Sequence, residues 1–259
     1  MEVCTICDGS GLRVVVREDG SRAAKDCECR IQRRVARMIA AANIPPKYEL
    51  SSFDNYETAD RDDKDYTLNS AKYTAEKFVA AYPFDTKGIG LLFTGAIGTG
   101  KTHLATTVLR ELIQKKGATG VFFHFHDLIK KIQNSFNRSV QATELEILEP
   151  ILKAEVLVLD ELGASKPSDW IFDTVAQILN TRYNERRTTI ITTNYPNREA
   201  ILLPGRTLSA FEEAREALRN ETLGDRIGER MRSRIQEMCM VVEMFGPDHR
   251  KKEKRAHFG

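Results

Sequence analysis

The stretch GIGLLFTGAIGTGKTHLATT, residues 88–107, decides the fold. Its first part, IGLLFT (89–94), is a short continuous apolar run, as a strand buried on both faces should be. Its second part matches G-x-x-x-x-G-K-[ST] through Gly95, Ala96, Ile97, Gly98, Thr99, Gly100, Lys101 and Thr102. The glycines let the backbone turn tightly, so that its N–H groups and the start of the following helix face phosphate oxygens. Lys101 is placed to reach β- and γ-phosphates, and the Thr102 hydroxyl to bind Mg²⁺. His103 follows directly and belongs to the same expected ATP-binding segment.

Three stretches downstream complete the pattern. In VLVLDELG (156–163) an acidic residue ends an apolar run; Asp160 is the expected partner of Mg²⁺, and Glu161 the group that orients or deprotonates an attacking water. In IITTNY (190–195), Asn194 is positioned to bond that water or the γ-phosphate; alone, Thr-Thr-Asn reads as a turn or cap. In DRIGERMRSRI (225–235), Arg226, Arg230 and Arg234 fall four residues apart, which predicts one arginine-bearing helix face. The bland reading is a solvated basic face; the sharper one sends an arginine to a γ-phosphate held by a neighbouring subunit.

From Gly88 onward, apolar runs alternate with helical periods, which predicts an α/β fold with a mainly parallel sheet covered by helices. The expected strands are 89–94, 120–125, 155–160, 188–193 and 240–245; helices are expected after Lys101, around 126–136, at 143–153, across 169–185 and across 224–238. Ahead of this domain (86–250) lie a cysteine-rich piece (1–30) and a helical or irregular segment (31–85) with a proline-marked linker, IPPKYELSSF. A basic tail (251–259) follows it. The net charge of +2 names no partner, and the basic runs at 30–37 and 250–257 read equally well as a solvated helix face and a frayed end. No apolar run approaches the roughly 20 residues that span a bilayer. The start, MEVCTICDGS, lacks the basic and apolar regions of a secretory signal. Both point to the cytoplasm and away from a membrane.

In a reducing compartment cysteines are better read as metal ligands than as disulfides. Cys4-x-x-Cys7 and Cys27-x-Cys29 offer four thiolates in two close pairs, the set that suits tetrahedral structural Zn²⁺. A segment of about 30 residues buries too little to fold unaided, so a metal would supply its stability. Cys239, in the apolar MCMVVEM, reads as a core residue. His124 and His126 alternate in FFHFHD without a third ligand nearby, and carry no metal assignment.

The four elements in this order resemble the AAA+ ATPases. GLLFTGAIGTGKTHLA, DELG, the stretch from Trp170 through ILNTRYNERRTTIITTNY, and GDRIGERMRSRI are similar to the DnaC/IstB group, over about residues 30–250. The resemblance implies a five-stranded AAA+ phosphate-loop domain, with Asn194 as its sensor-1 residue. It also implies Arg234 as the arginine finger supported by Arg230, and Arg250 as a sensor-2-like arginine that touches ATP. Only about 14 residues follow the last expected strand, too few for the helical lid many AAA+ proteins carry. A bacterial or phage helicase loader is then the expected function: an ATPase that uses ATP and Mg²⁺ as a switch and self-associates through its ATPase domain. It would bind a DnaB-like replicative helicase hexamer and single-stranded DNA, and the zinc piece resembles the helicase-contacting modules of some loaders. The segment 129–147 looks like the insertion through which such proteins touch single strands, with Phe136 and Arg138 as candidate contacts. Residues 197–222 are longer than the group usually has. Two other readings stay open: an IstB-like transposition helper, and a small-molecule kinase built on the same loop.

Overall fold

The computed structural model describes residues 3–58, 67–135, 143–198 and 221–249. Five strands form one sheet: β3 (Gly90–Gly95), β4 (Gly120–His124), β5 (Val156–Asp160), β6 (Thr188–Thr193) and β7 (Cys239–Met244). β1 (Leu12–Val16) and β2 (Arg22–Asp26) make a separate antiparallel hairpin. In the main sheet the order is β4-β5-β6-β3-β7, and every neighbouring pair is parallel. All five strands match the sequence expectation to within a residue or two at the ends.

Side chains alternate across a strand, and both faces of this sheet are covered, so each apolar run feeds two cores. Leu91, Phe93, Val156, Val158 and Ile190 face one cluster; Leu92, Leu157, Leu159 and Ile191 face the other. Helices α2 (Thr67–Ala81) and α3 (Lys101–Lys116) cover the first face. On α2 the buried residues Leu68, Ala71, Ala75, Phe78 and Val79 recur at helical spacing, which ties this segment into the core of the main sheet. Helix α1 (Glu28–Ala41) buries no residue fully and leans Val35, Met38 and Ile39 on that cluster; its arginines at 30, 33, 34 and 37 are exposed. The opposite face carries α4 (Phe125–Ser135), α5 (Glu144–Lys153) and α6 (Asp169–Asn184), followed by α7 (Leu223–Ile227) and α8 (Glu229–Met238). Among the described residues no helix is long and apolar enough to cross a membrane.

Local chemistry sets the ends of these elements. Gly117 takes the left-handed conformation after α3 and returns its N–H to Ile113 O. Thr143 with Glu146, and Thr222 with Asp225, form capping boxes for α5 and α7. The free edge of β4 is covered by the chain leaving α1: the Phe122 N–H donates to Ala42 O at 2.8 Å, and Asn43 Nδ2 donates to Phe122 O at 3.0 Å. The Arg182 side chain, 0% exposed, donates to the carbonyls of Ile151, Ala154, Glu155 and Thr188 and to Thr189 Oγ1. It joins the end of α5 to the start of β6, and burial lowers its pKa to about 9.

One expectation fails. The helix expected across 224–238 is two helices, because Gly228 adopts φ 86° and ψ 139°, a backbone that ends α7 and starts α8 in a new direction. Arg226, Arg230 and Arg234 therefore do not share one helix face. Arg226 is buried and donates to Gly163 O (2.7 Å) and Ser165 O (2.6 Å), with its guanidinium over the Tyr195 ring. Arg230 is exposed, and Glu229 pairs with Arg232.

Candidate functional site

The C-terminal ends of β3, β5 and β6 meet where the chain turns into α3, and the expected residues converge there. Lys101 Nζ donates to Gly95 O at 3.0 Å and to Ala96 O at 2.6 Å, which keeps the ammonium inside the turn of the loop. Gly98 and Gly100 sit at φ 80° and 86°, which L side chains rarely adopt. A Cβ on Gly98 would collide with the Asp248 carboxylate, and one on Gly100 with the Tyr56 ring. The cavity in front of the loop is lined by Gly98, Gly100, Lys101 and Thr102 together with Glu161 and Asn194. His103 also reaches it; its Nε2 lies 3.0 Å from Ser52 O, and burial lowers its pKa.

A row of hydroxyls ties the elements together. Thr102 Oγ1 donates to Asp160 Oδ1 at 2.8 Å, and Thr192 Oγ1 donates to the same oxygen at 2.7 Å. Thr192 Oγ1 also accepts the Glu161 N–H at 2.9 Å. Glu161 stands at φ 56°, a strained conformation for a residue with a Cβ, and its side chain is exposed toward the cavity. Asp160 is 1% exposed; its Oδ2 has His124 Nδ1 at 2.9 Å, off the line of a hydrogen bond, and no aligned donor. The Asp160 carboxylate holds the His124 imidazole above its usual pKa range, against the opposing effect of burial. The Asp160 carboxylate, 1% exposed and with its Oδ1 against the Thr102 hydroxyl at the phosphate loop, makes with that hydroxyl an oxygen donor set that fits Mg²⁺.

Several residues at this cavity were not singled out from the sequence. Lys47 and Tyr48, from the stretch read as a linker, line it, and so does His249. Tyr56 Oη donates to Thr99 O at 2.8 Å beneath the loop. The chain after β7 returns over the loop, with the His249 N–H donating to Gly98 O at 3.2 Å. No signal marked these positions, because a lone Lys, Tyr or His in a loop looks the same whatever it packs against.

Arg234 is not part of this cavity. Its guanidinium lies 4.1 Å from the centre of the Tyr183 ring and pairs with Glu237 at 3.3 Å. Phe136, Arg138 and Arg250, and nearly all of the long segment 197–222, lie outside the described residues.

The second cluster is at the N-terminus. The four thiol sulfurs of Cys4, Cys7, Cys27 and Cys29 all lie within 4.8 Å of one another. Cys4–Cys27 measures 3.9 Å and Cys7–Cys29 3.4 Å, too long for a disulfide and close to the roughly 3.8 Å between sulfurs that share a tetrahedral zinc. The Gly11 N–H donates to Cys7 Sγ at 3.3 Å. Burial opposes a thiolate at Cys7, yet hydrogen bonds from Gly11 and the other thiols outweigh it and bring the pKa to about 7. The bond to Cys7, with burial, raises Cys29 to about 12. Four thiol sulfurs gathered at these separations are a donor set that fits zinc. Cys239 is a core residue as expected, raised to about 12 by burial.

The pattern of the IstB-like ATP binding proteins matches residues 22–257. The chain is 29% identical over 175 residues to the uncharacterized protein YqaM of Bacillus subtilis strain 168, covering 65% of this chain and 53% of that protein. To the replicative helicase loader DnaC of Escherichia coli K12 it is 26% identical over 172 residues, 66% of each. It thus spans about half the length of YqaM and about two thirds of DnaC. A crystal structure of the DnaC helicase loader matches with a TM-score of 0.59 and 31% identity, over 78% of this chain and 100% of that one. A crystal structure of DnaI matches with the same TM-score at 24% identity, a likeness of fold alone.

Proposed function

The chain belongs to the family of IstB-like ATP binding proteins, and from that premise we propose that it is an ATP-hydrolysing loader of a replicative DNA helicase, with the nucleotide as a switch. Its fold is the AAA+ α/β fold of the DnaC group. The observation that carries the hydrolytic reading is the Thr102–Asp160–Thr192 chain of hydrogen bonds, which joins the phosphate loop to the acidic pair and to the sensor strand. Lys101 binds the β- and γ-phosphates. Thr102 and Asp160 hold Mg²⁺, which when bound neutralises phosphate charge. Glu161 accepts the proton of the attacking water, and Asn194, exposed at the end of β6, orients that water or the γ-phosphate. Arg234 faces away from the cavity of its own chain, a placement that suits a finger offered to a neighbour's nucleotide.

Zinc held by the four cysteines shapes the N-terminal piece into a docking module for the helicase. What supports the loader over a transposition helper is the likeness to DnaC across the whole of a solved loader chain, together with this module. Nucleotide controls partner affinity only as far as its contacts differ between the bound and free states.

Two measurements test this. Lys101→Ala should weaken ATP binding by more than about a hundredfold, the loss of two charge-assisted contacts; a fluorescence titration giving normal affinity would refute the site. Native mass spectrometry with the replicative helicase hexamer of the same genome should give a complex that needs residues 1–30 and differs between ATP and ADP. No complex with either nucleotide, and one with a transposase instead, would establish the transposition helper.

A further inference from the structure

We infer that His124 is a positioning residue for the carboxylate of Asp160, an inference that rests on the reading of Asp160 as a magnesium ligand. The two residues stand directly opposite each other in the parallel register of β4 and β5, at the ends where both strands meet the site. His124 Nδ1 lies 2.9 Å from Asp160 Oδ2, and the Phe122 ring packs edge-on against the imidazole, with centroids 4.9 Å apart at 88°. That edge contact buttresses the imidazole beside the carboxylate.

The rest follows from how the two oxygens of Asp160 are shared. Oδ1 takes both threonine hydroxyls, and Oδ2 has only His124. When Thr102 turns its hydroxyl toward a metal, Thr192 alone remains on Oδ1. A carboxylate held at one oxygen rotates, whereas one held at both presents a fixed direction. The His124 contact is close but off the line of a hydrogen bond, and contacts at catalytic sites often align only when ligand is bound. Partners of this kind, one step behind a metal ligand, carry about ten- to a hundredfold in metal affinity or activity.

His126 has a different job. Its Nδ1 lies 3.3 Å from Ser165 Oγ, and Ser165 O in turn accepts from Arg226 Nη2. The alternating histidines of FFHFHD therefore serve two neighbours, Asp160 and the loop after β5, and do not share a cation.

The test is Mn²⁺ titration followed by electron paramagnetic resonance, in the presence of ADP. His124→Ala should weaken Mn²⁺ binding about tenfold. His124→Asn, which keeps an N–H near the Nδ1 position without an imidazole charge, should restore it to within about threefold of the parent. ADP affinity measured in EDTA should be the same in all, which shows that each variant is folded and holds its loop. Asp160→Asn is run alongside. If it weakens Mn²⁺ binding strongly while His124→Ala does not, or if His124→Asn is as weak as His124→Ala, the positioning role of His124 is wrong. If Asp160→Asn itself leaves Mn²⁺ binding unchanged, the magnesium assignment of Asp160 falls, and the role of His124 with it.

Discussion

The cysteine knuckle and the nucleotide end of the sheet are both made of polar atoms drawn close together, but they are held in different ways. At the sheet, Asp160 ends a strand whose five residues are all buried, and Thr102 and Thr192 reach it from neighbours anchored in two apolar cores. The framework places the ligands, and a cation would find them waiting. At the knuckle the framework is missing. Val3, Ile6, Leu12, Val14 and Val16 are exposed, and Cys7 and Cys27 are the only buried apolar side chains ahead of α1 among the described residues. Here four close thiols stand where a core would be, and a metal held by them would be the cause of the local fold rather than an accessory to it.

Removing metal from the knuckle is the strongest way to break that contrast. Structural zinc supplies about 10–16 kcal/mol of apparent binding free energy in small domains, far more than a hairpin of this size gains from burial. A chelator, or Cys27→Ser, should abolish amide protection in β1 and β2 and leave nucleotide binding within about twofold, the independence expected of sites without shared contacts. Hydrogen exchange read by mass spectrometry checks this. Protection surviving in a zinc-free hairpin would mean that the knuckle has a core of its own.

A smaller effect sharpens the other half. Arg182→Met keeps much of the volume but leaves four carbonyls between α5 and β6 without their donor. Relief from burying a guanidinium offsets part of the loss, so a destabilisation of about 3 kcal/mol is expected. Urea denaturation measures it; a change below about 1 kcal/mol would show that water replaces the guanidinium at that end of the sheet. The smallest effect belongs to the hinge between α7 and α8. A Cβ on Gly228 meets nothing within 4 Å, so Gly228→Ala tests backbone strain alone, about 1–2 kcal/mol at this positive φ. A neutral result would return α7 and α8 to the single helix that the sequence predicts.

Much of this protein was legible in its sequence, and what was missed has a pattern. The order and type of the five strands, the phosphate loop, the acidic pair at the end of β5 and the two close pairs of cysteines all followed from residues close together in the chain. The break at Gly228 did not, because an isolated glycine in a helical pattern is tolerated at a cost of only about 1 kcal/mol. The arginines at 226, 230 and 234 share a spacing, but Arg226 lies on α7 while the other two lie on α8, and packing sends Arg226 inward to Gly163 and Ser165. The linker IPPKYELSSF showed its prolines and hid Lys47 and Tyr48 at the nucleotide cavity.

The sequence alone determined what depends on short-range rules: which stretches have the period of a buried strand, where a glycine-rich turn must precede a helix, and which thiols come in close pairs. Only the tertiary structure decided that His124 faces Asp160, that Thr192 supports both residues of the acidic pair, that Tyr56 lies under the phosphate loop, and that Arg182 is enclosed. Each of these contacts joins segments that meet only through the register of the sheet and the packing of two cores. Register and packing are settled by the whole chain at once, because a strand's neighbours are chosen by which arrangement buries every apolar face together.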